Sequence, residues 1–527
     1  MITTKKIVAI IAFTTLLSLS LAGCAKEGKQ AGGSPADGKP SITSAIYDRG
    51  NVPPNEGTVE KNRWTKWINE NGPVNVTYTA IPRWESGEKY NTLFASKTAP
   101  DLIFEYDTAL RNRLYTQKQL MPIDDMIEKY STEYKKLLEQ NPLLKKLALK
   151  SDGKMYEFGH INGLATNHVL YIREDWLKKL NLEVPKTTED LYQVAKAFTE
   201  QDPDGNGKKD TYGYSLSFVT ANITDKIFQN VGWVIEDGKL IHDWDRGKAA
   251  TVFKKRLYDE GLVDKDFLAD KNGEKARQDF INGKLGIFGM NNGADAPGLQ
   301  LLEALRKNDP NAVIRAIPLP KSEFGQFSPE VQNPIQMTAA VNARAKNPEA
   351  VMKYVDFLVS KDTQKTLRYG TEGEHWKDAG GGCLAVIDKE KNDKELNYNI
   401  DYQMLTNKTE FGKCGTYAST LDPSKPLEKE FLGIIDQAKE AYLNPSRPLA
   451  SIASGEHLPS PPQNIQLIQS NTGQPMGDII NKVVVSGSSY SVDQAMIDIK
   501  SVWDKTGGQE VDEWYESGMT KIKIKRF

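Results

Sequence analysis

The sequence predicts an α/β fold with more helix than strand. Three observations point there. Short apolar runs with strand character alternate with longer runs whose apolar residues recur every three or four positions. The helical runs carry start and stop residues at their ends. No internal repeat is present, which argues against solenoids and propellers. The 527 residues are enough for two or three domain-sized units.

The first element stands apart from that fold. "MITTKKIVAIIAFTTLLSLSLAGC" has a short basic region at Lys5 and Lys6, then an apolar stretch from Ile7 to Leu21. Thr and Ser interrupt the stretch and it is short for a spanning helix, so residues 1–23 read as a secretory signal peptide. It ends in Leu21-Ala22-Gly23-Cys24, the form of a bacterial lipobox. Cys24 is therefore the expected lipidation site, carrying diacylglycerol and palmitate-type acyl chains. Such chains anchor by burying methylenes, about 0.8 kcal/mol each. A secreted protein with a chance cysteine is the alternative. Residues 24–40 have almost no large apolar side chains and read as a flexible tether. The expected location is the outer face of the cell membrane, with the body held there by a lipid anchor.

The body opens its strand signals with "VNVTYTA" (Val74 to Ala80), which alternates with the two-residue period of a half-buried strand. "APDLIFEYD" (Ala99 to Asp107) reads as a short buried strand ending in Glu105, Tyr106 and Asp107. "KLGIFG" (Lys284 to Gly289) and "AVIRAIPLP" (Ala312 to Pro320) are two more. The clearest helix spans "KNPEAVMKYVDFLVSKDTQKTLRYG", with Asn347 as N-cap, Pro348 in the first turn and Gly370 as the stop. "SVDQAMIDIKSVWDKTGG" (Ser491 to Gly508) begins with a Ser-x-x-Gln capping box and ends in two Gly.

Lys and Arg number 68 against 70 Asp and Glu, so the net charge is −2. Removing residues 1–23 takes away two lysines and leaves the chain mildly acidic. That balance gives no reason to expect nucleic acid. Besides Cys24 only Cys383 and Cys414 exist. In an exported chain they are expected to pair, with two buried thiols as the alternative. So few cysteines argue against a cysteine-bound zinc.

"YIREDWLKKLNLEVPKTTEDLYQVAKAF" (Tyr171 to Phe198) resembles a segment of the extracellular solute-binding proteins of ABC sugar importers, in the large lipoprotein subgroup. "ASKTAPDLIF", "LYDEGLVDKDF", "KNPEAVMKYVDFL", "YGTEGEHW" and "WDKTGGQEVDEWY" match further blocks in the same order. The resemblance covers nearly all of the mature chain. It implies a two-lobed periplasmic-binding-protein-like fold of type II, with a hinge and the ligand in the interlobe cleft. Lobe 1 would take residues 41–165 plus about 335–395, and lobe 2 residues 166–334 plus about 396–527. It also implies a monomer that closes on an oligosaccharide and delivers it to ABC permease subunits. The chain has no G-x-x-x-x-G-K-[ST] loop, so the ATPase is a separate protein.

"TEQDPDGNGKKDTYGYS" places Asp202, Asp204 and Asn206 at positions 1, 3 and 5 of an EF-hand-like loop. Gly207 takes the sharp-turn position, Lys208 offers its carbonyl from position 7, and Asp210 takes position 9. Position 12 is Gly213, so the usual bidentate Glu is missing and Thr211 or another residue must complete the shell. The expected ion is a structural Ca²⁺, as in oligosaccharide-binding members of the family that carry a similar loop. A plain Asp/Asn-Gly turn is the alternative.

Sugar binding needs aromatic faces beside planar polar groups. Candidates are Arg63 and Trp64 in "NRWTKW", where Trp64 and Trp67 would share a helix face, and Asp107 at a strand end. Asn167 and His168, Trp233, Asn291 and Asn292, and Glu372 and Trp376 in "YGTEGEHW" complete the set. For Trp64 and Trp67, packing against the sheet is the alternative; for His168 and Glu372 it is a structural role. Glu372 and Glu374 in the same loop are also the best case for an enzyme, as a glycosidase acid and nucleophile. No G-x-S-x-G elbow or H-E-x-x-H is present, and the five His are scattered. The chain is expected not to be an enzyme. A binding protein for a peptide or other small solute is the first alternative, and a secreted glycan-degrading lipoprotein the second.

Overall fold

The computed structural model describes residues 38–236, 239–380, 383–451 and 461–519. The signal-peptide, lipidation and most of the tether expectations, Cys24 included, lie outside them.

Thirteen strands order the described chain: β1 (Ser41–Asp48), β2 (Asn75–Pro82), β3 (Leu102–Phe104), β4 (Glu157–Ile161), β5 (His168–Arg173), β6 (Tyr212–Tyr214), β7 (Trp233–Glu236), β8 (Lys239–His242), β9 (Leu285–Asn291), β10 (Ile314–Ala316), β11 (Ile335–Val341), β12 (Trp376–Gly380) and β13 (Cys383–Val386). They form two main sheets, β2-β1-β3-β11-β4 and β10-β5-β9-β6, and two hairpin-like pairs, β7-β8 and β12-β13. In the first sheet β1 runs parallel to β2 and β3, while β11 returns antiparallel between β3 and β4. Parallel strands covered on both faces read as continuous apolar runs. Ala45-Ile46-Tyr47 and Leu102-Ile103-Phe104 are of this kind, each residue at most 5% exposed.

Each sheet has its own core. Ile46, Tyr90, Leu102, Phe158 and Ala339 belong to the first, Leu170, Trp176, Phe198, Ile287 and Leu301 to the second. Burying one such Leu or Ile side chain contributes about 1.5–3 kcal/mol. Tyr398, Tyr402, Met404 and Leu405 also lie in the first core, so lobe 1 extends past the expected limit near 395. Two tyrosines anchor that extension: Tyr402 donates to the Val59 carbonyl and Tyr398 to Glu56. Phe431 to Tyr442 return to the second core. A third, smaller apolar group joins Ile465, Trp503 and Val511 against Trp233 and Trp244.

Three passes join the lobes. Residues 162–168 and 330–334 run side by side, with Asn162 N–H donating to Pro334 O, Gln332 to Ala165 and His168 to Glu330. The third pass leaves Leu405 in the first core and reaches Tyr417 on the second. Along it Asn407 accepts the Ile161 N–H at 2.9 Å.

The long helix expected over 347–370 is two, Pro348–Val359 and Lys361–Tyr369. Asn347 caps the first as expected, but Ser360 is extended (φ −65°, ψ 142°). Its hydroxyl bonds Phe357 O and Thr363 Oγ1 at the break. The last capping box is half formed: Ser491 accepts the Gln494 N–H, which begins the helix Val492–Lys505.

Candidate ligand cleft and cation loop

The carboxyl ends of β1, β2 and β3 lie on one edge of the first sheet, the edge from which β4 leads into the hinge. Open α/β sheets place ligands beyond such ends. Here the chain builds a shelf. Tyr47, from β1, stacks on Tyr106, just after β3, with centroids 5.7 Å apart and planes 12° apart. The Arg83 guanidinium, just after β2, sits 4.8 Å from the Tyr47 ring centre, 5.3 Å from Tyr106 and 5.1 Å from Trp84. Trp84 is 82% exposed. Leaving an indole in water forgoes about 4 kcal/mol of burial at the usual area coefficient, which makes this position a platform in search of a partner.

The shelf is braced from below. Tyr47 Oη donates to buried Glu105 at 2.6 Å and accepts the Tyr106 N–H at 3.1 Å. Glu105 also accepts the Asp107 N–H at 2.7 Å. Burial and the Glu105 charge push the Tyr47 phenol well above its ordinary value, so it stays a donor. Asp107 is exposed and caps the helix Thr108–Thr116 through the Ala109 N–H at 2.8 Å. Arg49, beyond β1, is held by Asp401 in a two-bond fork of 2.6 and 2.9 Å.

The second lobe presents the start of β5 and the end of β9, where His168 is in register with Asn291. His168 is 8% exposed, and burial holds its imidazole below the ordinary pKa, hence neutral. Its Nδ1 and Asn291 Oδ1 are buried without a hydrogen-bond partner among the described residues. Asn292 follows in the left-handed region (φ 51°). Phe218, after β6, is 54% exposed, and Leu164, on the first pass, 60%. Two cavities, of about 420 and 280 Å³, lie outside the shelf; the larger is on the second lobe beside Phe253 and Phe324, the smaller beside Ile161 and Asn407.

Several sequence candidates are structural. Trp64 is 3% exposed and its indole donates to Glu395 O at 2.7 Å, so the packing alternative holds. Trp67 packs on Phe357. Arg63 is neutralised by Glu56 and Glu395. Trp376 is 4% exposed, donates to Gly370 O and lies under Lys365. Glu372 is exposed in a tight turn bridged to Trp376, with Glu374 paired to Lys391. Trp233 is stacked between His242 and Tyr515 and donates to Asp512. Cys383 and Cys414 are joined in a disulfide, Cα atoms 5.3 Å apart. Arg83, Trp84 and Tyr106, which form the shelf, are not among the sequence candidates. The signal was available in "AIPRWE", a proline that ends a strand just before a cation and an indole.

Among the described residues, Glu374, His375 and Glu395 bring three metal-capable atoms within 4.8 Å. They form an internal ion network instead. His375 Nδ1 accepts the Thr371 N–H, which leaves Nε2–H for Glu395 at 2.9 Å.

The acidic loop folds around itself. Asp202 (φ 50°) accepts N–H groups of Gly205, Asn206 and Gly207 at 3.0–3.1 Å. Asn206 Nδ2 bridges Asp204 and Asp210 at 2.6 and 3.1 Å. A hydrogen bond from Asp204 holds Asp202 below its ordinary value, while burial and the neighbouring Asp202 and Asp210 hold Asp204 above it. The loop thus gathers the Asp202, Asp204 and Asp210 carboxyls and the Asn206 amide on one short turn, a donor set of oxygens suited to a hard cation. Lys208 N–H is bonded to Asn206 Oδ1. Thr211 turns away and donates to Phe198 O at 2.9 Å. Gly213 cannot be the missing Glu: it lies in β6, where a Cβ would overlap the Ala195 backbone.

The profile of the family described as "Bacterial extracellular solute-binding protein" matches residues 57–365. This chain belongs to that family. The polygalacturonan/rhamnogalacturonan-binding protein YtcQ of Bacillus subtilis (strain 168) is 25% identical over 486 residues, covering 88% of this solute-binding protein and 89% of YtcQ. Among solved structures, the Streptococcus pneumoniae ABC-transporter substrate-binding protein FusA in complex with kestose has a TM-score of 0.67 at 20% identity, over 91% of this chain and 99% of FusA. Alginate-binding protein AlgQ2 without calcium ion also has 0.67, at 19% identity over 92% and 98%. The two structures share the two-lobed α/β fold.

Proposed function

We propose that this protein is the substrate-binding lipoprotein of an ABC importer, capturing an oligosaccharide between its lobes and handing it, unaltered, to the permease. The observation that carries the reading is the shelf: an 82% exposed indole, Trp84, beside a stacked tyrosine pair and a guanidinium at the ligand-binding edge of a sheet. Stacking on a sugar C–H face restores the burial Trp84 forgoes. Asp107 on one side and His168, Asn291 and Asn292 on the other hold hydroxyls as the hinge closes. The sugar ligands printed in the names of YtcQ and FusA support this reading. The chain acts as a monomer, held to the membrane through Cys24.

Asp202, Asp204, Asn206 and Asp210, with the Lys208 carbonyl, hold a structural Ca²⁺. The ion binds the turn between the helix Thr188–Glu200 and β6 and takes no part in transport chemistry. Isothermal titration of the full chain in detergent, with calcium, against galacturonate, fructan and N-glycan oligosaccharides tests the main reading. Saturable one-to-one heat with no new reducing ends supports it. Turnover of the glycan, or silence across the panel with binding of a peptide pool, overturns it.

A further inference from the structure

We propose that Arg83 receives a carboxylate, so that the ligand is an oligosaccharide containing a uronate unit; this rests on the oligosaccharide reading of the same shelf. Three other arginines near this edge are neutralised, Arg49 by Asp401, Arg63 by Glu56 and Glu395, and Arg111 by Glu157, while Arg113 bonds the Asn91 amide oxygen. Arg83 is not neutralised. Among the described residues it has no carboxylate within ion-pair reach and its side chain makes no hydrogen bond. Its Nε is shielded from solvent and has no partner.

The position is built. Three rings within about 5 Å hold the guanidinium by cation–π attraction, which fixes the fork without using any of its N–H groups. A planar fork presents two parallel N–H groups and matches a carboxylate in two charge-assisted bonds, about twice as strong as the neutral bonds a pair of hydroxyls would accept. The nearby acids leave this role open. Glu105 is shielded under Tyr47, bonded to its hydroxyl and to the Asp107 N–H. Asp107 faces the N-terminal turn of its own helix. Glu85 is exposed and unpaired with Arg83. Trp84 would stack on the ring whose carboxylate Arg83 holds, so one sugar unit meets both.

The test uses the full chain in detergent, wild type and Arg83→Gln, titrated with tetragalacturonate, with its methyl ester and with neutral kestose. The expected result is wild-type binding of tetragalacturonate about tenfold or more tighter than of the ester. Arg83→Gln should bring the two within about twofold of each other, tetragalacturonate losing several-fold more affinity than its ester, and Arg83→Lys should restore part of the difference. Equal binding of acid and ester by wild type overturns the proposal. So does an equal loss of both in Arg83→Gln, which would mark Arg83 as structural. Binding of kestose without tetragalacturonate overturns it while leaving the oligosaccharide reading intact. No binding of any of the three removes that reading as well.

Discussion

Trp84 concentrates the argument at the scale of single residues. Because its side chain is 82% exposed, Trp84→Ala should leave the melting temperature within about 1 °C, the usual tolerance of surface sites. Oligosaccharide affinity should fall about tenfold or more, read by titration, through loss of stacking area. Trp376→Ala, at 4% exposed, should do the reverse and destabilise by about 3–5 kcal/mol with little effect on affinity once folded. The aromatic residues show where sequence reasoning stops. An indole on a helix or a hairpin looks the same whether its far face meets solvent or a remote segment. Trp64 is closed off by Glu395 and its neighbours, more than three hundred residues along, and no local pattern reveals that. The exposed strand-end position of Asp107 is readable because a short apolar run ending in Glu-Tyr-Asp already marks a carboxyl edge. Arg83 and Trp84 were hidden in what reads as the tail of a strand until Pro82 turns the chain.

The elements carry two further predictions. In the acidic loop, burial and the neighbouring Asp202 and Asp210 hold Asp204 above the ordinary carboxyl value. A raised carboxyl favours the folded state when protonated, and that contribution fades as pH rises through the raised value. Calcium requires the ionised form. A rise in melting temperature is expected on adding calcium, full at pH 7 and shrinking as pH falls toward the carboxylate range, as scanning calorimetry can check. Gly213→Glu should lower stability and leave calcium affinity no higher, since the strand there has no room for a Cβ. The loop's acidic spacing is readable in sequence; that Gly213 leaves no room for a side chain needed the helix against β6. The disulfide between Cys383 and Cys414 closes a 31-residue separation, and replacing both by Ser should cost about 3–4 kcal/mol in urea unfolding.

For the whole molecule, the two cores matter most. They share no residue among those described, and three passes of chain are the link. Calorimetry of the ligand-free chain should resolve two transitions, with calcium raising only that of the second lobe and bound ligand merging both. The order of the first sheet has another consequence. β11 lies between β3 and β4, yet it follows all the strands of the second lobe in the chain. The second core in turn waits for Phe431 to Tyr442. Neither half can close until most of the polypeptide has been delivered, so the growing chain remains loose and threadable for nearly the whole of its synthesis. For a member of an extracellular family, that delay suits passage through a narrow export channel, with folding completed on the far side.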